Sequence, residues 1–121
     1  MDNIEIIKLD ISIQEQQDPR FKVVEFHGEF DSYSLQNVRE KILTLVESLP
    51  QDILVFHFGN LHFVNSESIS FMLQIQELLQ NHKKKLVIVQ ARPNVKDVLK
   101  VIGLFDSIPY FANLLDFIHS L

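Results

Sequence analysis

Two continuous apolar segments constrain the fold of this chain more than any other feature. They are "DILVFHF" at residues 52–58 and "KLVIVQA" at residues 85–91. A strand with one face in water alternates apolar and polar residues, whereas a strand covered on both faces does not. The stretch from about Ser66 to Asn81 instead repeats its apolar residues at helical spacing. This pattern predicts two adjacent central parallel strands joined by a helical crossover.

The rest of the chain also alternates between strand and helix patterns. Before the central strands, the sequence predicts strands at 4–13 and 21–28 around a polar turn at 14–20, and then a helix capped by Asp31 or Ser32 and stopped by Pro50. After them it predicts a helix at 92–105, with Pro93 near its start and Gly103 as its C-terminal cap. A short extended piece around Ile108 and a last helix at 111–121 complete the chain. Capping residues, proline and glycine set these boundaries. The predicted order is β-β-α-β-α-β-α-(β)-α, in one α/β domain over residues 1–121. We expect a mixed four- to five-stranded sheet with a parallel centre, packed by about four helices.

Composition narrows the possible functions. The formal charge is -5, and the only basic run is Lys83–Lys85, so we expect no nucleic-acid binding. The chain has no cysteine, its three glycines are far apart, and its five histidines lack the spacing of a metal site. We therefore expect no cofactor and no metal. An acidic start and the absence of a long apolar run predict a cytoplasmic protein without direct membrane insertion.

Four polar residues, Asn65, Ser66, Glu67 and Ser68, stand where a buried strand leads into a helix. One interpretation is that Asn65 or Ser66 is the N-cap of that helix, and local chemistry alone favours it. The other is that the Ser66 hydroxyl carries a phosphate, since the positive end of a helix dipole tolerates an anion. A Ser-His-Asp triad of Ser66, His57 or His62, and Asp31 is a weaker alternative, because no nucleophile elbow surrounds the serine.

The chain resembles the STAS domain of bacterial anti-sigma factor antagonists in three places. These are "GEFD" at residues 28–31, "DILVFHFGNLHFVNSESIS" at residues 52–70 and "RPNVKDVLKVIGLF" at residues 92–105, in the family's order and spacing. The family typically has Asp-Ser-(Ser/Thr)-Gly at the second place. Here Asn65 replaces the aspartate, Glu67 the second hydroxyl residue and Ser68 the glycine.

The resemblance implies a non-enzymatic switch protein. It would bind an anti-sigma factor that is also a serine kinase, lose that binding when Ser66 is phosphorylated, and regain it through a serine phosphatase. Carried over, Ser66 is the phosphoacceptor, and Glu29, Asp31, Asn65, Glu67 and Ser68 form the partner-binding surface. The alternative is a STAS adaptor that is not phosphorylated and serves as a scaffold subunit of a membrane-associated complex.

The helix that follows Ser66 carries two apolar stripes. One contains Ile69, Met72 and Leu73, and the other contains Phe71, Ile75 and Leu78. One stripe covers the sheet. The other predicts either a partly exposed protein interface or a helix buried deeply enough to need both.

Overall fold

The computed structural model describes residues 8–15 and 18–121, which form one five-stranded sheet with helices on both faces. The strands are β1 (Leu9–Ile13), β2 (Phe21–Phe30), β3 (Ile53–Val64), β4 (Lys85–Val89) and β5 (Tyr110–Phe111). The helices are α1 (Leu35–Glu47), α2 (Ser66–Asn81), α3 (Pro93–Val101) and α4 (Leu114–His119), with a short 3-10 helix at Leu104–Asp106. The predicted order of elements is confirmed for this part of the chain, while residues 4–7 of the first predicted strand lie outside it.

The sheet has the predicted mixed topology, in the order β1-β2-β3-β4-β5. The opening pair β1–β2 is antiparallel, and the other three pairs are parallel. The two apolar runs lie side by side, with Leu54 opposite Leu86 and Phe56 opposite Ile88, and α2 is the crossover between them. The prediction of adjacent central strands is therefore confirmed.

Strand β3 is longer than its apolar run predicts. It continues through "GNLHFV" to Val64, six residues beyond Phe58, and this extension pairs only with β2. On its other side, Arg92 Nε donates to the Gly59 carbonyl and Asn94 Nδ2 donates to the His62 carbonyl. Hydrogen bonds from β2 and from the start of α3 keep these polar residues in an extended strand.

Two apolar clusters hold the layers together. The larger one lies between the sheet and the helices α1, α2 and α3, and the smaller one lies beneath α4 on the opposite face. Several phenylalanine rings pack together in the larger cluster, where Phe26 contacts both Phe56 and Phe58 at centroid distances of 4.8 and 5.2 Å. Edge-to-face packing of this kind adds to the free energy gained from burying the rings.

The hypothesis that the second stripe of α2 forms a protein interface is wrong. Phe71 is 2% exposed and Ile75 is 0% exposed, so neither can contact a partner. The ring of Phe71 packs against Phe30 of β2, and the guanidinium of Arg39 on α1 lies 5.1 Å from its centroid. Residues of both the sheet and α1 therefore bury this stripe.

Candidate functional site

The candidate site lies where β2 and β3 end, at one edge of the sheet. Phe30 and Val64 are the last residues of the two strands and are paired in the parallel ladder. Each strand is followed by a tight turn into a helix, so the polar residues after them are brought together. The side chains that make the contact are Ser32 and Asn65, with Asn65 Nδ2 3.4 Å from Ser32 Oγ.

A capping box starts α2. The Asn65 side chain accepts a hydrogen bond from the backbone N–H of Ser68 at 3.1 Å, and the Ser68 hydroxyl accepts one from the Asn65 N–H at 2.9 Å. Two N–H groups that helix geometry leaves without partners are thereby satisfied. Asn65 is therefore the N-cap, as one of the two cap interpretations predicts, and Ser66 is not.

Ser66 and Ser68 lie in opposite environments although only one residue separates them. Ser66 is exposed as the first residue of α2, and its hydroxyl takes no part in the capping box. Ser68 is 0% exposed, and its hydroxyl also donates to the Asn65 carbonyl at 2.9 Å. The prediction that Ser68 belongs to the partner-binding surface is therefore wrong, because its side chain is used inside the turn.

The turn after β2 repeats this arrangement. Asp31 Oδ1 accepts from the Ser34 N–H at 2.8 Å, and the Ser34 hydroxyl accepts from the Asp31 N–H at 2.9 Å. Ser34 also donates to the Glu29 carbonyl, which ties the end of the strand to the turn. The sequence predicts Asp31 or Ser32 as the cap of α1. This prediction is wrong, because the N-cap of α1 is Ser34 and Asp31 instead holds the turn that precedes the helix.

Asp31 is the most strongly held carboxylate of the site. The hydrogen bond from the Ser34 backbone N–H lowers the pKa of Asp31, and the Ser34 side chain and Lys8 act in the same direction against the effect of burial. Lys8 Nζ lies 3.8 Å from Asp31 Oδ2. Asp31 is therefore ionised at neutral pH and partly shielded, whereas the exposed Glu29 and Glu67 take part in none of the ion pairs of the described residues.

A β-bulge sets the direction of Glu29. The register between β2 and β3 shifts between Gly28 and Glu29, where Gly28 has a φ of 120°. A side chain at Gly28 would collide with the carbonyl of Lys8, which directly precedes β1. Only glycine fits this close approach, and the bulge places Glu29 opposite Phe63 at the end of the ladder.

The geometry does not support a catalytic triad or a metal centre. The Asp31 carboxylate is bonded to the Ser34 backbone, and His57 Nδ1 accepts from the Gly59 N–H, so neither is aligned with Ser66. His27 lies opposite Asn60 and not His57, and it contacts Ser12 at 3.2 Å. Among residues 8–15 and 18–121, no group of three acidic or histidine side chains is placed to hold a metal ion. The same residues contain no helix long and apolar enough to cross a membrane.

Sequence reasoning missed two exposed aromatic residues of this site. Tyr33, next to Ser32, is 69% exposed, and Phe63, three residues before Ser66, is 45% exposed. The sequence does not predict the exposure of Phe63, because the segment around it has no clear strand periodicity. Its exposure follows from the alternation of side chains along β3, because the neighbouring Val64 points into the larger cluster and Phe63 therefore points to the other face.

Comparison with known proteins places this site in a known fold. The family model for the STAS domain matches residues 12–116. An anti-sigma factor antagonist from Mycobacterium paratuberculosis superposes with a TM-score of 0.81 at 19% identity, covering 93% of this chain and 92% of the other. The Bacillus cell fate determinant SpoIIAA in its phosphorylated form gives a TM-score of 0.67 at 17% identity, covering 93% of this chain and all of SpoIIAA.

A membrane transporter contains a similar domain. The murine anion transporter Slc26a9 matches with a TM-score of 0.72 at 13% identity, and the match covers 86% of this chain but only 18% of the transporter. These identities are low, so the structures establish a common fold. Together with the match of the family model over most of the sequence, they lead to one conclusion: the chain belongs to the STAS domain family.

Proposed function

We propose that this chain is a non-enzymatic anti-sigma factor antagonist whose binding is controlled by phosphorylation of Ser66. The position of Ser66 carries the proposal. It is exposed at the first position of α2, and the capping box is made by Asn65 and Ser68 instead. A phosphate can therefore be added to Ser66 without breaking a hydrogen bond that holds the start of the helix.

The proposed partner is an anti-sigma factor that is also a serine kinase, and a serine phosphatase reverses the modification. Glu29, Asp31, Asn65 and Glu67 belong to the partner-binding surface around Ser66. The fold is similar to that of the Mycobacterium paratuberculosis antagonist and to that of SpoIIAA, which is also described as an anti-sigma factor antagonist and was solved in a phosphorylated form. This similarity supports the choice of partner. The chain supplies a docking surface and a hydroxyl group, and the kinase supplies the catalysis.

Electrostatics explains how a phosphate would act as a switch. Phosphorylation adds about -1.5 to -2 charge near the carboxylates of Glu29 and Glu67. The α2 dipole offsets only ~0.3–1 kcal/mol of their repulsion, a cost that the fold can absorb. A partner that accepts a neutral hydroxyl would have to bury an unpaired charge, which costs several kcal/mol. A loss of about 3 kcal/mol weakens binding roughly a hundredfold.

A second candidate is a STAS adaptor without a phosphorylation switch, acting as a scaffold subunit of a membrane-associated complex. Two observations favour it. Asn65, Glu67 and Ser68 depart from the Asp-Ser-(Ser/Thr)-Gly pattern that the resemblance implies, and a similar domain forms part of the transporter Slc26a9. In such an adaptor Ser66 would be an unmodified residue of the helix start.

The test is phosphorylation by the kinase that co-purifies with the protein from its native cell. Wild type, Ser66→Ala and Ser32→Ala are incubated with this kinase and ATP and compared by intact mass. Ser32→Ala is the matched control, because Ser32 directly follows the capping residue of the first turn as Ser66 does in the second. We expect one phosphate on wild type and Ser32→Ala, none on Ser66→Ala, and roughly hundredfold weaker kinase binding by the phosphorylated protein.

The two candidates give different outcomes in this experiment. A phosphate on Ser66→Ala equal to that on wild type, or no phosphate on any of the three proteins, would remove Ser66 as the switch. The adaptor would then be the better description.

A further inference from the structure

The turns after β2 and β3 contact each other at the ends of the two strands. Residues 30–34 and 64–68 make the same capping box, their strands end as neighbours, and Asn65 of one turn reaches Ser32 of the other. We call the exposed side chains around them the junction surface. It consists of Glu29, Ser32, Tyr33, Phe63, Ser66 and Glu67.

Two aromatic rings of the junction surface are exposed and are not stacked on other rings. Tyr33 is 69% exposed and Phe63 is 45% exposed, although other phenylalanines of the chain are fully buried. None of the ring pairs among the described residues includes either of them. An aromatic side chain can bury about 150–250 Å² of surface, so these rings offer a large apolar area to a partner.

The charge of the junction surface selects the class of partner. Glu29 is the ladder partner of Phe63, and Glu67 directly follows Ser66. Neither carboxylate forms an ion pair in the part of the chain that the structure describes, while the nearby Lys8 is paired with Asp31. An acidic surface repels both nucleic-acid phosphates and the anionic leaflet of a membrane. A protein with basic side chains is the complementary partner.

We infer that the junction surface is a single protein-docking site, with Tyr33 and Phe63 as its anchors, and that its partner presents an apolar pocket bordered by lysine or arginine. Binding energy at protein interfaces is concentrated in a few aromatic and arginine side chains, and charged pairs at the rim guide association. The inference rests on the proposed function for the location of the partner, but it does not require phosphorylation. It adds two aromatic residues to the predicted surface, Tyr33 in the β2–α1 turn and Phe63 in β3.

The position of Ser66 also explains why a phosphate on its hydroxyl would affect the binding of the partner. Along the chain, Ser66 directly precedes Glu67 and follows by three residues Phe63, an anchor that has to enter an apolar pocket. A phosphate at this position would be carried into the same desolvated region. The anchors therefore determine affinity, and the state of Ser66 determines whether they can dock.

The experiment uses photo-cross-linking followed by affinity measurement. A benzoylphenylalanine replaces Tyr33 or Phe63 in the full chain in its native cell. Position 101 is the control, because Val101 is 85% exposed and lies at the C-terminal end of α3, whereas the start of α3 contacts His62. The protein that is cross-linked from both positions, and not from position 101, is purified. Its affinity is then measured for wild type, Tyr33→Ala, Phe63→Ala and Val101→Ala.

We expect each aromatic variant to bind that protein at least about tenfold more weakly, and Val101→Ala to bind within about twofold of wild type. Charge reversal in Glu29→Lys or Glu67→Lys should slow association and reduce its dependence on salt. Thermal unfolding of each variant checks the fold. Aromatic variants that bind like wild type, or the absence of a common cross-linked protein, would overturn the inference.

The same measurements in a Ser66→Ala background separate the inference from the proposed function. No phosphate can be added at Ser66 in that background, so a loss of affinity in Tyr33→Ala reports on the docking surface alone. Kinase treatment of the protein with wild-type Ser66 reports on the switch alone.

Discussion

At the scale of single residues, the serines of the site fall into two groups. Ser34 and Ser68 are both 0% exposed and their hydroxyls accept hydrogen bonds that hold the turns, whereas Ser32 and Ser66 are exposed and do not close the turns. The family pattern has a glycine at the position of Ser68. In this chain a buried hydroxyl stands there and closes the capping box with Asn65.

The pKa of Asp31 predicts a dependence of stability on pH. The hydrogen bond from the Ser34 N–H lowers this pKa in the folded state, so the ionised carboxylate stabilises the fold above the unfolded pKa of about 3.9. The stabilisation is lost as the pH falls through the folded pKa. We expect Asp31→Asn to be less stable than wild type at pH 7 by about 0.3–1 kcal/mol, and the difference to vanish in acid.

Urea unfolding at a series of pH values from neutral to acidic measures this difference. Lys8→Met is the control, because Lys8 is a smaller cause of the lowered pKa than the Ser34 N–H. It should keep most of the pH dependence. A difference between wild type and Asp31→Asn that stays constant with pH would contradict the assignment.

At the scale of elements, α2 is a core helix whose first turn belongs to the candidate site. Its first turn carries the exposed Ser66 and Glu67, while Phe71, Met72 and Ile75 are buried beneath it. Farther along, Gln76 Nε2 donates to the Ser107 carbonyl after the 3-10 helix, which ties α2 to the loop that follows α3. The buried apolar residues and this hydrogen bond therefore fix the position of α2, whose first turn carries Ser66.

Truncation of Phe71 should show that its stripe supports the core. We expect Phe71→Ala to lower the free energy of unfolding by about 3–5 kcal/mol, because it leaves a cavity between α2, Phe30 and Arg39. Leu73→Ala is the matched control on the same helix, since Leu73 is exposed, and it should change stability by less than about 1 kcal/mol. Urea unfolding compares the two, and equal losses would contradict this assignment.

At the scale of the whole molecule, the two faces of the sheet are covered unequally. Three helices cover one face, whereas the other is covered by α4 over the smaller cluster. Phe117 is the buried residue of α4, with ring centroids 5.3 Å from Phe21 and 5.5 Å from Phe111. A six-residue helix is too short to be stable alone, so this ring anchors it.

Loss of that anchor should release α4 before the rest of the fold. We expect Phe117→Ala to destabilise the protein by about 3–5 kcal/mol, with hydrogen exchange accelerating first in α4 and β5. The exposed Leu115 on the same helix provides the control, and Leu115→Ala should leave exchange unchanged. Uniform acceleration across α2 and α4 would indicate a single cooperative unit instead.

The local sequence was sufficient to predict the order of the elements and the position of Ser66 in the first turn of a helix. The runs at 52–58 and 85–91 are apolar on both faces, so they specify central strands without further information. The boundary at Asn65 was predictable because a capping residue acts on N–H groups only two or three positions away. These features depend on interactions between residues that are close in sequence.

Tertiary structure alone decided which side chains of these elements face a partner. Phe71 is buried because Phe30 of β2 and Arg39 of α1 pack against it. Phe63 is exposed because β3 continues past its apolar run and places that ring on the face away from the larger cluster. Ser68 is buried by a turn that the family's glycine could not make in the same way. The spacing of apolar residues predicts which residues share one face of a helix or strand. Whether a side chain on that face is exposed depends on which elements from distant parts of the sequence pack against it.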